Sequence, residues 1–265
     1  METIKVINYV IMVIFFACYA YQFLYIPIAW LKKQKPLPKG LLHRYAVLIA
    51  ARNEETVIGS LIESIKRQNY PADRIDIYVI ADNCTDCTAK AAKSHSATVF
   101  ERFDKVRIGK GYALNYLLGR IKKIYDAYLV FDADNVVDKN FVREINKTFS
   151  AGYDIVTSYR NSKNYGDNWI SSGYGLWFLR EAQYLNRPRA VLGASCGVSG
   201  TGFLFSRRIL EQCGGWNFFL LTEDIEFTAH NIANGEKIGY CPAAVFYDEQ
   251  PTGFRQSFRQ RMRWV

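Results

Sequence analysis

The carboxylate pair Asp132 and Asp134 is the part of the sequence best suited to chemistry. The pair follows directly on the apolar run Tyr128–Phe131, which reads as a strand. In an extended segment, alternation would place both carboxylates on one side, about 7 Å apart. Hard divalent ions prefer such oxygens, together with the phosphates of a substrate. Because ligands of α/β proteins bind where parallel strands end, the position favours a metal and phosphate site over a solvated turn.

Asp82 follows a second apolar run, Ile75–Ala81. A carboxylate at a strand end can accept a hydrogen bond from a nucleobase N–H or a ribose hydroxyl. An Asx turn or a helix cap leading into Thr85 would use the same residue type. Taken alone, Asp82 leaves the nucleotide-binding and the structural interpretations open.

The segment Thr222-Glu223-Asp224 opens a helical pattern and supplies a candidate general base. Thr222 could cap that helix, and the two acids would suit the positive end of its dipole. In the functional interpretation Asp224 is the base, because sugar transfer from a nucleoside diphosphate requires deprotonation of the attacking hydroxyl.

Several basic residues could bind the diphosphate of a nucleotide-sugar substrate, and an aromatic residue could stack on its sugar. Lys110 lies between two glycines at a predicted helix start, where a phosphate can bind; a surface lysine is the equal alternative. Near the end of the sequence, Arg263 can form charge-assisted bonds to phosphate. Trp264 offers a face to a sugar ring, and Gln260 is a further candidate for the acceptor.

Apolar runs alternate with helical patterns through the first half of the sequence. The predicted strands are Tyr45–Ala51, Ile75–Ala81 and Ala127–Phe131, and the predicted helices are Glu54–Gln68, Thr85–Ser94 and Lys110–Ile124. This alternation predicts an α/β fold with helices on both faces of a mostly parallel sheet. At the other end, Phe254–Val265 reads as a basic amphipathic helix that lies on a membrane surface or covers the active site.

The N-terminal segment Val6–Leu31 predicts a transmembrane helix. It contains no charged residue and is longer than the roughly 20 residues that span a bilayer. Lysines follow at residues 32, 33, 35 and 39, whereas the N-terminal flank offers only Lys5 against Glu2. The positive-inside rule therefore places the residues after 31 in the cytoplasm. A cleaved signal peptide would have a shorter apolar region, and a buried core helix is a weaker alternative.

The overall composition limits the kinds of molecule that the protein is expected to bind. A formal net charge of +9 indicates an anionic partner, such as a phosphorylated substrate or an acidic membrane surface. No basic block alternates with aromatic residues, so a nucleic acid is not expected.

The cysteines are too scattered for a disulfide framework, and Cys84 and Cys87 lack a second ligand pair for zinc. The residues after Ala51 lack the G-x-G-x-x-G of a nucleotide-binding dehydrogenase.

In order and position, these motifs resemble those of the processive family 2 glycosyltransferases of GT-A fold. That group comprises the cellulose, chitin, hyaluronan and poly-N-acetylglucosamine synthases, and the similarity covers residues 44–265. The matching segments are Ala51-Arg52-Asn53-Glu54-Glu55, Asp82, Gly109 to Asn115, Asp132-Ala133-Asp134, Ser199 to Gly202, Thr222-Glu223-Asp224 and Gln260 to Trp264. The sequence departs from the family pattern at Cys84 and Cys87, where small polar residues are usual.

The resemblance implies an inverting β-glycosyltransferase that uses a UDP-sugar donor and Mn²⁺ or Mg²⁺. It implies that Asp134 holds the metal and that Asp224 is the base. The implied donor-binding residues are Ala51, Asn53, Glu54, Asp82, Lys110, Asp132 and Arg263. The implied acceptor-binding residues are Ser199, Gly200, Thr201, Glu223, Gln260 and Trp264.

We therefore expect a transmembrane helix in residues 1–31, a basic linker in 32–43 and a cytoplasmic GT-A domain in 44–265. Family polymerases carry further transmembrane helices after Q-x-x-R-W, so a further C-terminal membrane part is expected too. The favoured product is a polysaccharide of the poly-N-acetylglucosamine or cellulose type. A single sugar added to diacylglycerol or ceramide is the alternative. A non-catalytic membrane protein that binds nucleotide sugars or polysaccharides is less favoured, because all the acidic positions are intact.

Overall fold

A computed structural model describes residues 2–32, 37 and 39–262. These residues form an eight-stranded sheet flanked by helices, with a long helix before it. The strands are β1 (Tyr45–Ala51), β2 (Ile75–Asp82), β3 (Thr98–Arg102), β4 (Ala127–Asp132), β5 (Val136–Val137), β6 (Ile155–Ser162), β7 (Phe203–Ser206) and β8 (Ile238–Asp248). The helices are α1 (Glu2–Leu31), α2 (Ile58–Lys66), α3 (Thr88–Ser94), α4 (Lys110–Leu118), α5 (Phe141–Ser150), α6 (Trp169–Arg180), α7 (Arg187–Leu192), α8 (Arg207–Gln212), α9 (Glu223–Ala233) and α10 (Phe254–Arg261). A π-helical segment, Glu181–Asn186, joins α6 to α7, and a short 3₁₀ turn covers Ala72–Arg74.

The strand order explains where a ligand can enter. The order is β3-β2-β1-β4-β7-β6-β8-β5, and the first four of these strands are parallel. The chain builds outward from β1 to β3 and then returns to β4 on the other side of β1. Such a reversal opens a crevice at the carboxyl ends of the strands. Here those ends are Ala51, Asp82 and Asp132.

The second half of the sheet is mixed. Strand β7 runs antiparallel to β4 and β6, β5 runs antiparallel to β8, and β6 and β8 are parallel. The predicted α/β sheet with helices on both faces is confirmed, and it carries antiparallel strands that the sequence pattern did not predict.

Alternation along the buried strands divides the core into two layers. In β1, Val47 and Ile49 belong to a cluster that includes side chains of α2, α3 and α5. Ala46 and Leu48 face the other way, into a cluster that includes side chains of α4, α8 and α9. Every strand residue from Tyr45 to Ile49 is fully buried, as expected for a parallel strand covered on both faces.

Two of the predicted helices, α2 and α3, begin later in the structure because polar side chains hold the loops that precede them. Helix α2 begins at Ile58 rather than Glu54, and α3 begins at Thr88 rather than Thr85. The Glu54 N–H donates to the Thr88 hydroxyl at 2.8 Å, and the Thr85 N–H donates to the Asn53 amide oxygen at 2.8 Å. These bonds bind the loops after β1 and β2 to each other and compete with helix formation. Helix α4 ends at Leu118 rather than Ile124, with Gly119 as its C-terminal cap.

Helix α1 agrees with the predicted apolar segment. It runs from Glu2 to Leu31, and of its side chains only Ala29 is buried. Within the described ranges it is the one helix long and apolar enough to cross a membrane. Of the predicted basic linker, residues 33–36 and 38 lie outside the described part of the chain.

Helix α10 lies where the basic amphipathic segment was predicted. It is held on α6, because the Tyr174 hydroxyl and the Ser257 hydroxyl are 3.0 Å apart. The Arg261 guanidinium also donates to the Tyr174 hydroxyl, at 3.2 Å. Phe254 and Phe258 are exposed, so one face of α10 is apolar. Contact of that face with a membrane stays a prediction.

Gly111 is expected to be indispensable for the packing of α4. A Cβ at this position would lie 2.0 Å from the backbone oxygen of Phe218. That oxygen can move only if the surrounding backbone moves with it. Gly111→Ala should therefore lower the free energy of unfolding by about 2 kcal/mol or more, the cost of overpacking. Urea unfolding followed by circular dichroism measures the change.

Gly119→Ala is the matched control, because its Cβ would meet nothing closer than 3.5 Å. Its effect should stay within about 1 kcal/mol, the difference in helix propensity between the two residues. Equal stability of the two variants would contradict the close approach of α4 to Phe218.

Candidate active site

A cavity of about 320 Å³ lies at the carboxyl ends of β1, β2 and β4. It brings together acidic and basic side chains that are far apart in the sequence. The predicted site residues that line it are Ala51, Glu54, Asp82, Lys110, Asp132 and Asp134. The strand order therefore assembles most of the predicted donor and metal set in one place.

Asp82 is buried at the end of β2, and its Oδ1 accepts a hydrogen bond from the Arg102 guanidinium at 2.6 Å. This pairing compensates the charge of the carboxylate inside the protein. The start of α3 is bonded to Asp86 instead, which accepts from the Thr88 N–H at 3.0 Å. Asp82 therefore does not cap α3, which was one of the structural alternatives, and it lines the cavity.

The D-x-D segment is a turn, so the predicted extended alternation was wrong. Asp132 is the last residue of β4, and its carbonyl accepts from the Asn135 N–H at 3.1 Å. The Asp132 N–H is held by the Thr201 hydroxyl at 2.9 Å. The turn still places the carboxylates of Asp132 and Asp134 on the same cavity.

Lys110 links the cavity to the Gly200 loop and to the start of α9. Its ammonium pairs with the Asp132 carboxylate, donates to the Gly200 carbonyl at 2.7 Å and lies 3.9 Å from a Glu223 oxygen. Burial opposes the charge, but the carboxylates of Asp132, Glu223 and Asp224 outweigh it and raise the pKa of Lys110. Lys110 is the first residue of α4, preceded by Gly109 at a φ of 140°, a conformation that favours glycine.

Asp224 lies in the first turn of α9, partly exposed and beside the Gly200 loop. A Cβ built on Gly200 would be 3.8 Å from the Asp224 Oδ2. Asp224 does not line the cavity itself; Lys110 and Gly200 connect the two. Thr222 is the N-cap residue of α9, but its side chain makes no capping bond. Burial, together with the charge of Asp224, raises the pKa of Glu223 to about 6, although Lys110 opposes this.

The carboxylates of the cavity repel one another. Burial and the charges of Asp248, Asp132 and Glu54 raise the pKa of Asp134 to about 7. Burial and the charge of Asp132 also raise the pKa of Glu54. A cation between these groups would relieve the repulsion.

The donor set fits a particular kind of metal site. Among the described residues, no three His, Cys, Asp or Glu side chains are grouped as an all-protein site. Mg²⁺ is usually bound through one or two carboxylates together with substrate phosphates, and Mn²⁺ shares its preference for such oxygen ligands. Asp134, with Asp132 beside it, fits that kind of site, because its charge is destabilised by its surroundings.

Three residues that support the site were missed by the sequence analysis. The buried Asn135 amide donates to Asp248 at 2.8 Å and to Asp134 at 3.2 Å. The Asp248 carboxylate is paired with the Arg160 guanidinium, whose Nε lies 2.9 Å away. Asp248 ends the apolar strand β8, so the rule that selected Asp82 and Asp132 could have found it. Arg160 gave no signal in the sequence.

Other predicted site residues lie beyond the cavity. The Asn53 side chain accepts a hydrogen bond from Thr85 and so holds the loop after β2. The Ser199 hydroxyl donates to Glu181 of the π-helical segment at 3.5 Å. Thr201 supports the D-x-D backbone. Gln260 lies on α10. Arg263 and Trp264 lie outside the described residues, so their roles stay predictions.

The fold is one that glycosyltransferases share. The model of "Glycosyltransferase like family 2" matches residues 43–265, so the chain belongs to that family. The fold is GT-A. It superposes with a TM-score of 0.73 on a mannosyltransferase of Pyrobaculum calidifontis solved with GDP-Man and Mn²⁺, at 19% identity, covering 95% of this chain and 71% of that one.

Curated relatives include enzymes with different products. A probable glycosyltransferase of Bacillus subtilis, YdaM, is 28% identical over 89% of this chain and 56% of its own length. A beta-monoglucosyldiacylglycerol synthase of Synechocystis is 29% identical over 83% and 46%. A poly-beta-1,6-N-acetyl-D-glucosamine synthase of Staphylococcus epidermidis is 24% identical over 88% and 58%. The chain thus spans about half the length of the curated relatives it matches.

Arg160→Met should destabilise the protein by about 3 kcal/mol, because it leaves the buried Asp248 carboxylate without its guanidinium. The Arg160 side chain is 17% exposed and that of Asp248 is 5% exposed. The change in the free energy of unfolding is measured in urea.

Arg208→Met is the matched control, since Arg208 is also paired with carboxylates, those of Asp154 and Glu236, but its side chain is 51% exposed. That variant should lose less than about 1 kcal/mol. A loss as small for Arg160→Met would show that Asp248 does not depend on Arg160.

Proposed function

We propose that this chain transfers a sugar from a UDP-sugar to an acceptor hydroxyl with inversion at the anomeric carbon. The observation that carries the proposal is the cavity that joins Asp82, Asp132 and Asp134, with Lys110 connecting it to the helix of Asp224. Asp82 would bind the nucleoside, and Lys110 and the N-terminus of α4 would face the diphosphate. Asp134, with Asp132, would hold Mn²⁺ or Mg²⁺.

Asp224 is the proposed base. It is partly exposed and lies beside the Gly200 loop, and its charge acts on Lys110. The acceptor oxygen would attack the anomeric carbon from the face opposite the diphosphate and give its proton to Asp224. The bond from that carbon to the diphosphate oxygen breaks, and UDP leaves with the electron pair. When bound, the metal supplies positive charge that stabilises the leaving diphosphate.

We infer that the acceptor is a lipid hydroxyl at a membrane surface. The exposed apolar helix α1 supports a membrane anchor, and the lysines after it support a cytoplasmic GT-A domain in residues 44–265. The identity to enzymes named as monoglucosyldiacylglycerol synthases, 29% in Synechocystis, supports a diacylglycerol acceptor.

Elongation of a polysaccharide is the second candidate. It is favoured by Gln260-Arg261-Met262-Arg263-Trp264 after Thr222-Glu223-Asp224 and by the relative named as a poly-beta-1,6-N-acetyl-D-glucosamine synthase. The size of the product made from a radiolabelled donor separates the two, because the first yields a one-sugar lipid and the second a polymer.

Asp224→Asn should lower the turnover number by about 10²–10⁴-fold, the contribution of general base catalysis. The amide keeps the shape of the side chain but cannot take the proton. The affinity for UDP, measured by calorimetry, should be unchanged. Glu211→Gln, an exposed acid on α8, is the control and should keep full activity. Undiminished turnover in Asp224→Asn would refute the assigned base.

Removal of divalent ions by EDTA should abolish sugar transfer, and added Mn²⁺ should restore it. In Asp134→Ala, the same addition should restore little or nothing, because the carboxylate that would hold the ion is gone. Asp73→Ala, which alters an exposed acid far from the cavity, is the control and should recover fully. Transfer that continues in EDTA would overturn the metal assignment.

A further inference from the structure

A second, apolar groove of about 720 Å³ lies between α1 and the helix that runs from α6 into the π-helical segment. Its volume is within the roughly 300–1,000 Å³ typical of small-molecule sites. The α1 side contributes Tyr19, Phe23 and Ile26, and the other side contributes Leu176, Leu179 and Leu185. The proposed mechanism uses none of these residues.

Gln22, Arg180 and Tyr184 also line the groove, and polar contacts of these side chains join its two walls. The Arg180 guanidinium donates to the Gln22 side-chain oxygen, and the Trp30 indole N–H lies 3.4 Å from the Tyr184 hydroxyl. Both contacts join α1 to the helix opposite. Helix α1 is thus a wall of a binding site as well as a candidate anchor.

The position of the groove along α1 indicates its occupant. Tyr19 to Ile26 lie in the second half of the uncharged segment Val6–Leu31, on the side of the lysines that predict the cytoplasmic end. With α1 as the membrane anchor, a groove at this position borders the cytoplasmic surface of the bilayer, where acyl chains are within reach. A sugar polymer would need many hydrogen-bonding partners, whereas a hydrocarbon chain needs apolar walls alone.

The opposite face of the same helix reaches the acceptor side of the active site. Phe178 and Glu181 line a narrow gap together with Ser199, and Glu181 accepts a hydrogen bond from the Ser199 hydroxyl at 3.5 Å. Ser199 adjoins Gly200, which lies beside Asp224. One helix thickness, about 10 Å, therefore separates the groove from the Ser199 loop, which leads to Gly200 and the proposed base. The helix is π-helical at this point, a deviation that is frequent at functional sites.

We propose that the groove between α1 and the α6–π helix binds an acyl chain of the lipid acceptor, so that its hydroxyl is presented to Asp224. The inference rests on the proposed function in one respect, namely that the bound lipid is the acceptor. The groove would also set the preferred chain length, since a short chain cannot fill it.

Photo-crosslinking of the full chain tests the groove. The protein is placed in phosphatidylcholine vesicles that contain a diacylglycerol with a diazirine on one acyl chain, and adducts are mapped by mass spectrometry. We expect adducts between residues 176 and 185 that excess unlabelled dioleoylglycerol removes. Leu179→Glu should lower them at least fivefold. Leu192→Glu, at another exposed leucine outside the groove, is the control and should leave them unchanged.

Enzyme assays separate this inference from the proposed function. Leu179→Glu should raise the KM for dioleoylglycerol about tenfold and leave transfer to dihexanoylglycerol unchanged. If adducts are not competed, or if a second copy of the chain or another protein segment is cross-linked there instead, the groove assignment is overturned, even where glycolipid is made. If adducts are competed but neither lipid receives a sugar, the groove is a lipid site and the proposed acceptor is wrong.

Discussion

The ammonium of Lys110 joins three segments that are distant in the sequence: the end of β4, the Gly200 loop and the start of α9. A buried cation is costly unless its partners are well placed, and removing it would leave several carboxylates facing each other. This constraint accounts for the arrangement around it. The tight packing of Gly111 against Phe218 fixes α4, and α4 fixes the lysine. Two hydrogen bonds fix the Gly200 loop in turn. Lys110 donates to the Gly200 carbonyl, and the Thr201 hydroxyl accepts from the Asp132 N–H.

A second layer of polar contacts keeps the acidic cavity in shape. Asn135 connects Asp134 to Asp248, and Asp248 is neutralised by Arg160 from a different strand. The supporting residues therefore compensate the charge of Asp248 but leave that of Asp134 destabilised. Such a distribution suits a site whose remaining negative charge is balanced by something it binds.

The helix formed by α6, the π-helical segment and α7 lies between two environments. One of its faces borders the Ser199 loop near the acidic cavity, and the other borders the apolar wall of α1. In the proposed membrane-anchored enzyme, this helix would lie between the lipid and the acidic cavity. The exposed phenylalanines of α10, which is held on α6 through Tyr174, form a further apolar surface beside this helix.

The sequence by itself determined the strands Tyr45–Ala51, Ile75–Ala81 and Ala127–Phe131 almost to the residue, since continuous apolar runs have few other solutions in an α/β protein. It also selected Asp82, Asp132 and Asp134, because the end of a buried strand is visible in the pattern. It could not predict Arg160, Asn135 or the pairing of Lys110 with Asp132, whose partners are chosen by the strand order. Nor could it predict that polar loops would shorten α2 and α3, or that D-x-D would turn. Local patterns are set by neighbouring residues, whereas hydrogen bonds and ion pairs across the sheet exist only once distant strands are adjacent.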